Sequence, residues 1–102
     1  MTRYEIDTEI RLTVNFTLVA DNSPVDPVEV ILRVQPPAGA EVQYALGAGQ
    51  VLRDDVGVYH CDLLTGQVGR WSYKWQGQGG VEVTTPDTRF VVNYTTFADL
   101  RL

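Results

Sequence analysis

The 102-residue chain has one cysteine, one histidine and no long apolar run, and each shortage closes off a class of function. A lone Cys61 excludes an internal disulfide and a cysteine-based metal cluster, and it fits a reducing cytoplasm. No segment approaches the roughly 18 uncharged apolar residues that a bilayer span requires. Positive charge is also scarce. Eight Lys and Arg against thirteen Asp and Glu leave a formal charge of −5 and a pI near 4.6. An acidic surface repels phosphate backbones and anionic lipid, so neither nucleic acid nor membrane is expected as a partner. Met1-Thr2-Arg3-Tyr4-Glu5 leads straight into structure-forming residues, with no apolar core and no small-residue cleavage site, so no cleaved leader is expected. Internal repeats and low-complexity tracts are absent.

What is present is enough for one core. Hydrophobic residues at 44% and charged residues at 21% lie in the globular range, and a chain of this length builds a single domain. Ile10, Leu12, Val14, Phe16 and Leu18 alternate with polar residues, a period of two that predicts a long strand with one buried face, ending by about Ala20. Asp21-Asn22-Ser23-Pro24 and Asp26-Pro27 supply turn chemistry. Val28, Val30, Leu32 and Val34 form the inward row of the next strand, which Pro36-Pro37 stops. Tyr4-Glu5-Ile6, Val42–Leu46 and Gln50–Arg53 read as short edge strands, Gly77–Gly80 as a flexible turn, and Val81–Val83 and Arg89–Val92 as the last strand regions.

The chain centres on Asp55–Leu63 and Val68–Trp75, which read as neighbouring antiparallel strands linked through Gly66. Tyr59, Cys61 and Leu63 share one face of the first, and Trp71, Tyr73 and Trp75 share one face of the second, with His60, Asp62, Ser72 and Lys74 opposite. With no convincing helix before residue 94, the expectation is an all-β antiparallel sandwich of about seven to eight strands over residues 1–93. Residues 94–102 are expected to be a C-terminal tail, either a segment that docks on another chain or a cover folded back over an open edge of its own domain.

Asp55-Val56-Gly57-Val58-Tyr59-His60-Cys61 resembles the Asp-x-Gly-x-Tyr-x-Cys corner of immunoglobulin domains. That motif opens the penultimate strand and its cysteine is disulfide-bonded, whereas here two strand regions follow and no partner cysteine exists, so the match is only partial and does not by itself assign Tyr59 the tyrosine-corner role. A fuller resemblance is to immunoglobulin-like domains of tailed bacteriophages and bacteria. It is carried by Gly57-Val58-Tyr59, Gly69-Arg70-Trp71-Ser72-Tyr73, Phe90-Val91-Val92 and the Pro24-Val25-Asp26-Pro27 turn, across about residues 4–92. The resemblance implies an immunoglobulin-like β-sandwich serving as a non-enzymatic phage virion structural or accessory protein, a capsid decoration or head–tail component assembled in the host cytoplasm. An adhesin-type or carbohydrate-binding immunoglobulin-like module is the alternative, distinguished by ligand-accessible tryptophans at Trp71 and Trp75.

Candidates for chemistry all carry a plainer reading. His60 is expected at the surface beside Asp62, with no Gly-x-Ser-x-Gly elbow to complete a triad. Cys61 falls on the inward row and reads as a small core residue. Asp54, Asp55 and Asp62, or Asp21 with Asp26, lack the alternating ligand spacing of a calcium loop. Gly77-Gln78-Gly79-Gly80 lacks the Lys-Ser/Thr of a phosphate loop. Asn15-Phe16-Thr17 and Asn93-Tyr94-Thr95 match glycosylation acceptors, which carry little weight without a secretion signal. No catalytic residue, metal, cofactor or small-molecule substrate is therefore expected. Tyr94, Phe97, Leu100 and Leu102 crowd apolar surface into the tail, and they are the expected contacts to other virion proteins or to a second copy.

Overall fold

The computed structural model describes residues 2–18, 20–79 and 83–93. Among them there is no helix. Nine strands run in chain order as β1 (Thr2–Glu5), β2 (Glu9–Asn15), β3 (Glu29–Gln35), β4 (Val42–Ala45), β5 (Leu52–Asp55), β6 (Val58–Leu64), β7 (Gly69–Gln78), β8 (Val83–Thr84) and β9 (Thr88–Asn93). They form two sheets. One has the order β1-β9-β7-β3-β4, with β8 also paired to β7, and the other has the order β2-β6-β5.

The inward rows of the two sheets pool into one core. Ile10, Leu12, Val14, Tyr59, Cys61 and Leu63 come from the smaller sheet, and Val30, Leu32, Val34, Trp71, Trp75, Phe90 and Val92 come from the larger. Phe16 and Val51 fill in from outside the strands. Trp71 stacks on Phe90 with ring centroids 5.7 Å apart, and Phe16 meets Tyr59 edge-on at 5.9 Å. Tyr73 is only half-buried at the margin of this cluster. The longest strand, β7, organises the larger sheet: β3 lies along one side, while β9 takes residues Gly69–Tyr73 and β8 takes Gln76–Gly77 on the other. Between β8 and β9 the chain reaches Pro86, which has no amide hydrogen to donate to a ladder. Beside it, Thr85 bonds back to Trp75 through both its amide and its hydroxyl, each at 2.9 Å.

The expected hairpin of residues 55–63 with 68–75 does not form. Strands β6 and β7 lie in different sheets and face each other through the core. Alternation reports which side of a strand meets the core and not which strand lies beside it, so two facing inward rows look the same as two neighbouring ones. The link crosses between sheets because Thr65 is claimed elsewhere: its amide donates to the Thr8 carbonyl at 3.1 Å and its carbonyl accepts from the Asp7 amide at 2.8 Å. Its hydroxyl also donates to the Thr8 carbonyl. The hairpin is instead β5–β6, closed by Val56-Gly57, where Gly57 has φ of +73°.

Four further expectations are corrected. The sandwich is not wholly antiparallel, because β1 pairs in parallel with β9; the intervening strands carry the chain around, so no local helical crossover is needed. Strand β2 ends at Asn15, and Leu18 beyond it is exposed. Val28 is 80% exposed rather than inward, because β3 begins only at Glu29 after Pro27 and Val28 packs against side-chain-free Gly79. Gly77 belongs to β7 and not to a turn; a Cβ there would sit 2.9 Å from the Phe16 ring, so the close approach of that ring requires glycine.

Candidate functional site

The most connected polar group lies in the loop between β2 and β3. Asp26 accepts hydrogen bonds through Oδ1 from the Tyr59 hydroxyl at 2.8 Å and the Gly57 amide at 2.7 Å, and through Oδ2 from Arg53 Nη2 at 3.0 Å. Arg53, then the Gly57 amide, then Tyr59 hold its carboxyl down at about 2. Burial and the adjacent Asp26 push the Tyr59 phenol up. The Phe16 amide donates to the Gly57 carbonyl at 2.7 Å, so the same loop is tied to the β5–β6 turn by backbone as well. Tyr59 thus does tie a distant loop to its strand, with a carboxylate as the acceptor. Asp21 does the local turn work expected of it, accepting from the Ser23 amide and hydroxyl at 3.0 and 2.6 Å.

His60 is not a surface residue. It points away from the core, as its register requires, yet its side chain is only 8% exposed because Asp54 lies across it with Oδ2 2.7 Å from Nδ1. Asp62, its expected neighbour, is taken by Arg11, whose Nε and Nη2 donate to the two carboxylate oxygens at 2.8 and 3.2 Å. Arg11 accordingly holds the Asp62 carboxyl below its ordinary value. Asp55 caps the Val56 amide at 2.7 Å. With these aspartates occupied, no group of three or more His, Cys, Asp or Glu among the described residues could hold a metal ion.

Cys61 sits in the core, as its register implies, and burial pushes its thiol up, away from the thiolate that a nucleophile needs. Trp71 and Trp75 are both buried, so neither offers a platform to a sugar ring. The Trp71 indole N–H donates to the Gln67 carbonyl at 3.0 Å, whereas the buried Trp75 indole N–H has no partner among the described residues. Tyr94, Phe97, Leu100 and Leu102 lie outside the described residues.

Two clefts remain. One, of about 250 Å³, is lined by Arg33, Gln35, Glu41, Ser72, Tyr73, Lys74 and Asp87. Its charges pair off, Arg33 with Glu41 at 2.5 Å and Lys74 with Asp87 at 3.9 Å, so it presents no uncompensated charge to a ligand. The other, of about 290 Å³, lies between β3–β4 and the end of β6, with Val34, Pro36, Val42, Tyr44, Leu63, Leu64 and Trp71 among its walls. It is the apolar one, and sequence reasoning missed it because its two sides come from different sheets.

No protein-family model, curated protein or solved structure matches the chain.

Proposed function

We propose that this chain is an immunoglobulin-like β-sandwich that serves as a non-enzymatic phage virion component, a capsid decoration or head–tail protein, acting through protein–protein contacts. Support for the fold comes from strand order. The order β2-β6-β5 set against β9-β7-β3-β4 is that of immunoglobulin strands B-E-D set against G-F-C-C′. The observation that carries the non-enzymatic reading is the use of the acidic and basic side chains: Asp26, Asp54, Asp62, Glu41, Arg11, Arg33 and Arg53 are all spent on pairs that tie strands and loops together. The virion assignment rests on the sequence resemblance of Gly57-Val58-Tyr59, Gly69–Tyr73 and Phe90-Val91-Val92.

Its partners are other virion proteins or further copies of itself, met through Tyr94, Phe97, Leu100 and Leu102. The place of action is the virion, after assembly in the host cytoplasm. The test is co-purification with intact particles of the virus that encodes the chain, comparing the natural sequence with Phe97→Asp. Particle association that the substitution removes supports the reading. A chain absent from particles, or one that instead binds immobilised polysaccharide, overturns it.

A further inference from the structure

Strand β2 is the edge of the smaller sheet. All seven of its residues pair with β6 on one side, and among the described residues no strand lies on the other. The Phe16 amide donates to the Gly57 carbonyl at 2.7 Å and the Thr65 amide to the Thr8 carbonyl at 3.1 Å, and both pairs continue the β2–β6 register. In an antiparallel ladder, residues that exchange hydrogen bonds with one neighbour alternate with residues whose amide and carbonyl point away from it. The even-numbered residues from Thr8 to Phe16 therefore bond toward β6. Glu9, Arg11, Thr13 and Asn15, whose side chains are exposed, turn their backbone groups to the open side.

The other edges are short or blunted. Strands β1, β4 and β5 have four residues each and β8 has two. Strand β5 is irregular between Arg53 and Asp55, and in β4 the Ala45 amide donates to Gln50 Oε1 at 3.1 Å while its carbonyl accepts from the Ala48 amide at 3.3 Å. Strand β2 carries no proline, lysine or bulge, the devices that keep a long edge from pairing.

The open edge is complementary to itself. Two antiparallel copies of β2 related by a twofold axis at Leu12 set Glu9 opposite Asn15 and Arg11 opposite Thr13 of the second copy. All four outward residues then form hydrogen-bonded pairs, giving about eight backbone bonds, a number typical of a stable interface. Moving the axis to Arg11 would place that guanidinium opposite its own copy, which is unfavourable. Moving it to Thr13 leaves Glu9 beyond the end of the partner strand. Charge does not oppose the contact either: Glu9 and Arg11 balance within the strand, although the whole chain carries −5, and Arg11 is already paired with Asp62.

We propose that β2 is a self-association edge, and that a second copy of this chain adds its own β2 antiparallel to the first, making one continuous sheet β5-β6-β2-β2-β6-β5 across the dimer. This surface is separate from the residues assigned above to virion contacts, and it stands whether or not the chain belongs to a particle.

The test uses the full chain. Sedimentation is expected to show a dimer that dissociates on dilution. Amide hydrogen exchange read by NMR across the same dilution series should show the Glu9, Arg11, Thr13 and Asn15 amides slowed about tenfold or more in the dimer and fast in the monomer, while Ile10, Leu12 and Val14 stay slow in both. Thr13→Pro removes an outward amide that the monomer does not use and should weaken dimerisation about tenfold or more. Should that variant fail to fold, Thr13→Lys, which sets a lysine opposite Arg11 of the second copy, should weaken it in the same direction. A chain that is monomeric at every concentration overturns the proposal. So does a dimer whose four outward amides exchange freely, which places the interface elsewhere, or a dimer that either folded variant leaves intact. Outward amides that are slow in the dilute monomer also overturn it, because the edge is then covered within one chain. Particle association of Phe97→Asp is read separately, so neither result decides the other.

Discussion

The contact between Phe16 and Gly77 makes a sharp test of how the two sheets fit, because it predicts a sign reversal rather than a loss. Phe16 is 4% exposed, packs edge-on against Tyr59, and brings its ring to 2.9 Å from where a Cβ on Gly77 would stand. Phe16→Ala deletes a buried aromatic ring and should cost about 3–5 kcal/mol. Gly77→Ala alone forces an extra methyl into that ring, with Pro27 Cγ also only 3.1 Å from the methyl, and should cost about 1–3 kcal/mol as overpacking. In the Phe16→Ala background the obstructing ring is gone. There the added methyl partly fills the cavity and removes a strand glycine, which is worth about 0.5–1 kcal/mol. The second change should then be neutral or stabilising, giving a coupling energy of about 1–3 kcal/mol. Urea unfolding followed by tryptophan fluorescence measures all four corners of the cycle. A domain of this size has about 5–15 kcal/mol in total, so Phe16→Leu provides a milder corner if the alanine variant unfolds. Additivity within about 0.5 kcal/mol would refute the packing described here.

Trp71→Ala removes the stack on Phe90 and the bond to the Gln67 carbonyl, and should cost about 3–5 kcal/mol in the same assay. Near-normal stability would show that Trp71 faces solvent. Cys61 is 2% exposed, so a bulky thiol reagent should label the native protein only at the rate of unfolding, and Cys61→Ala should remain folded. Asp26 has its carboxyl held at about 2 against an ordinary 3.8, so the folded state binds its proton more weakly than the unfolded one. Its stabilisation is therefore complete above about pH 4 and is lost as the pH falls through about 2; Asp26→Asn should remove that part of the acid dependence. Tyr59→Phe takes away one donor, and carboxyl NMR should then show the Asp26 titration moving up toward its ordinary value.

The sequence disclosed the strands better than their neighbours. Alternation from Ile10 to Phe16, from Val30 to Val34 and from Trp71 to Trp75 reported which side chains enter the core, because that is settled by each strand's own period. Pairing is settled by distant segments, so the crossing at Thr65 and the parallel meeting of β1 with β9 were hidden. The same holds for polar residues. Nothing in Pro24-Val25-Asp26-Pro27 marks Asp26 as the acceptor for groups on β5, β6 and the turn between them, and nothing local shows that Asp54 will cover His60. The apolar cleft was invisible for a related reason: Val42 and Leu64 line it from different sheets, past the last β5–β6 pair.

The parallel ladder between β1 and β9 also sets how the domain bears mechanical load. Thr2 pairs with Phe90 and Glu5 with Asn93, so Thr2 and Asn93 lie at opposite ends of one ladder whose strands run in the same direction. Tension applied through Thr2 and Asn93 therefore slides the two strands past each other. The rungs share that force and must fail together, whereas a hairpin pulled from its open end parts one rung at a time.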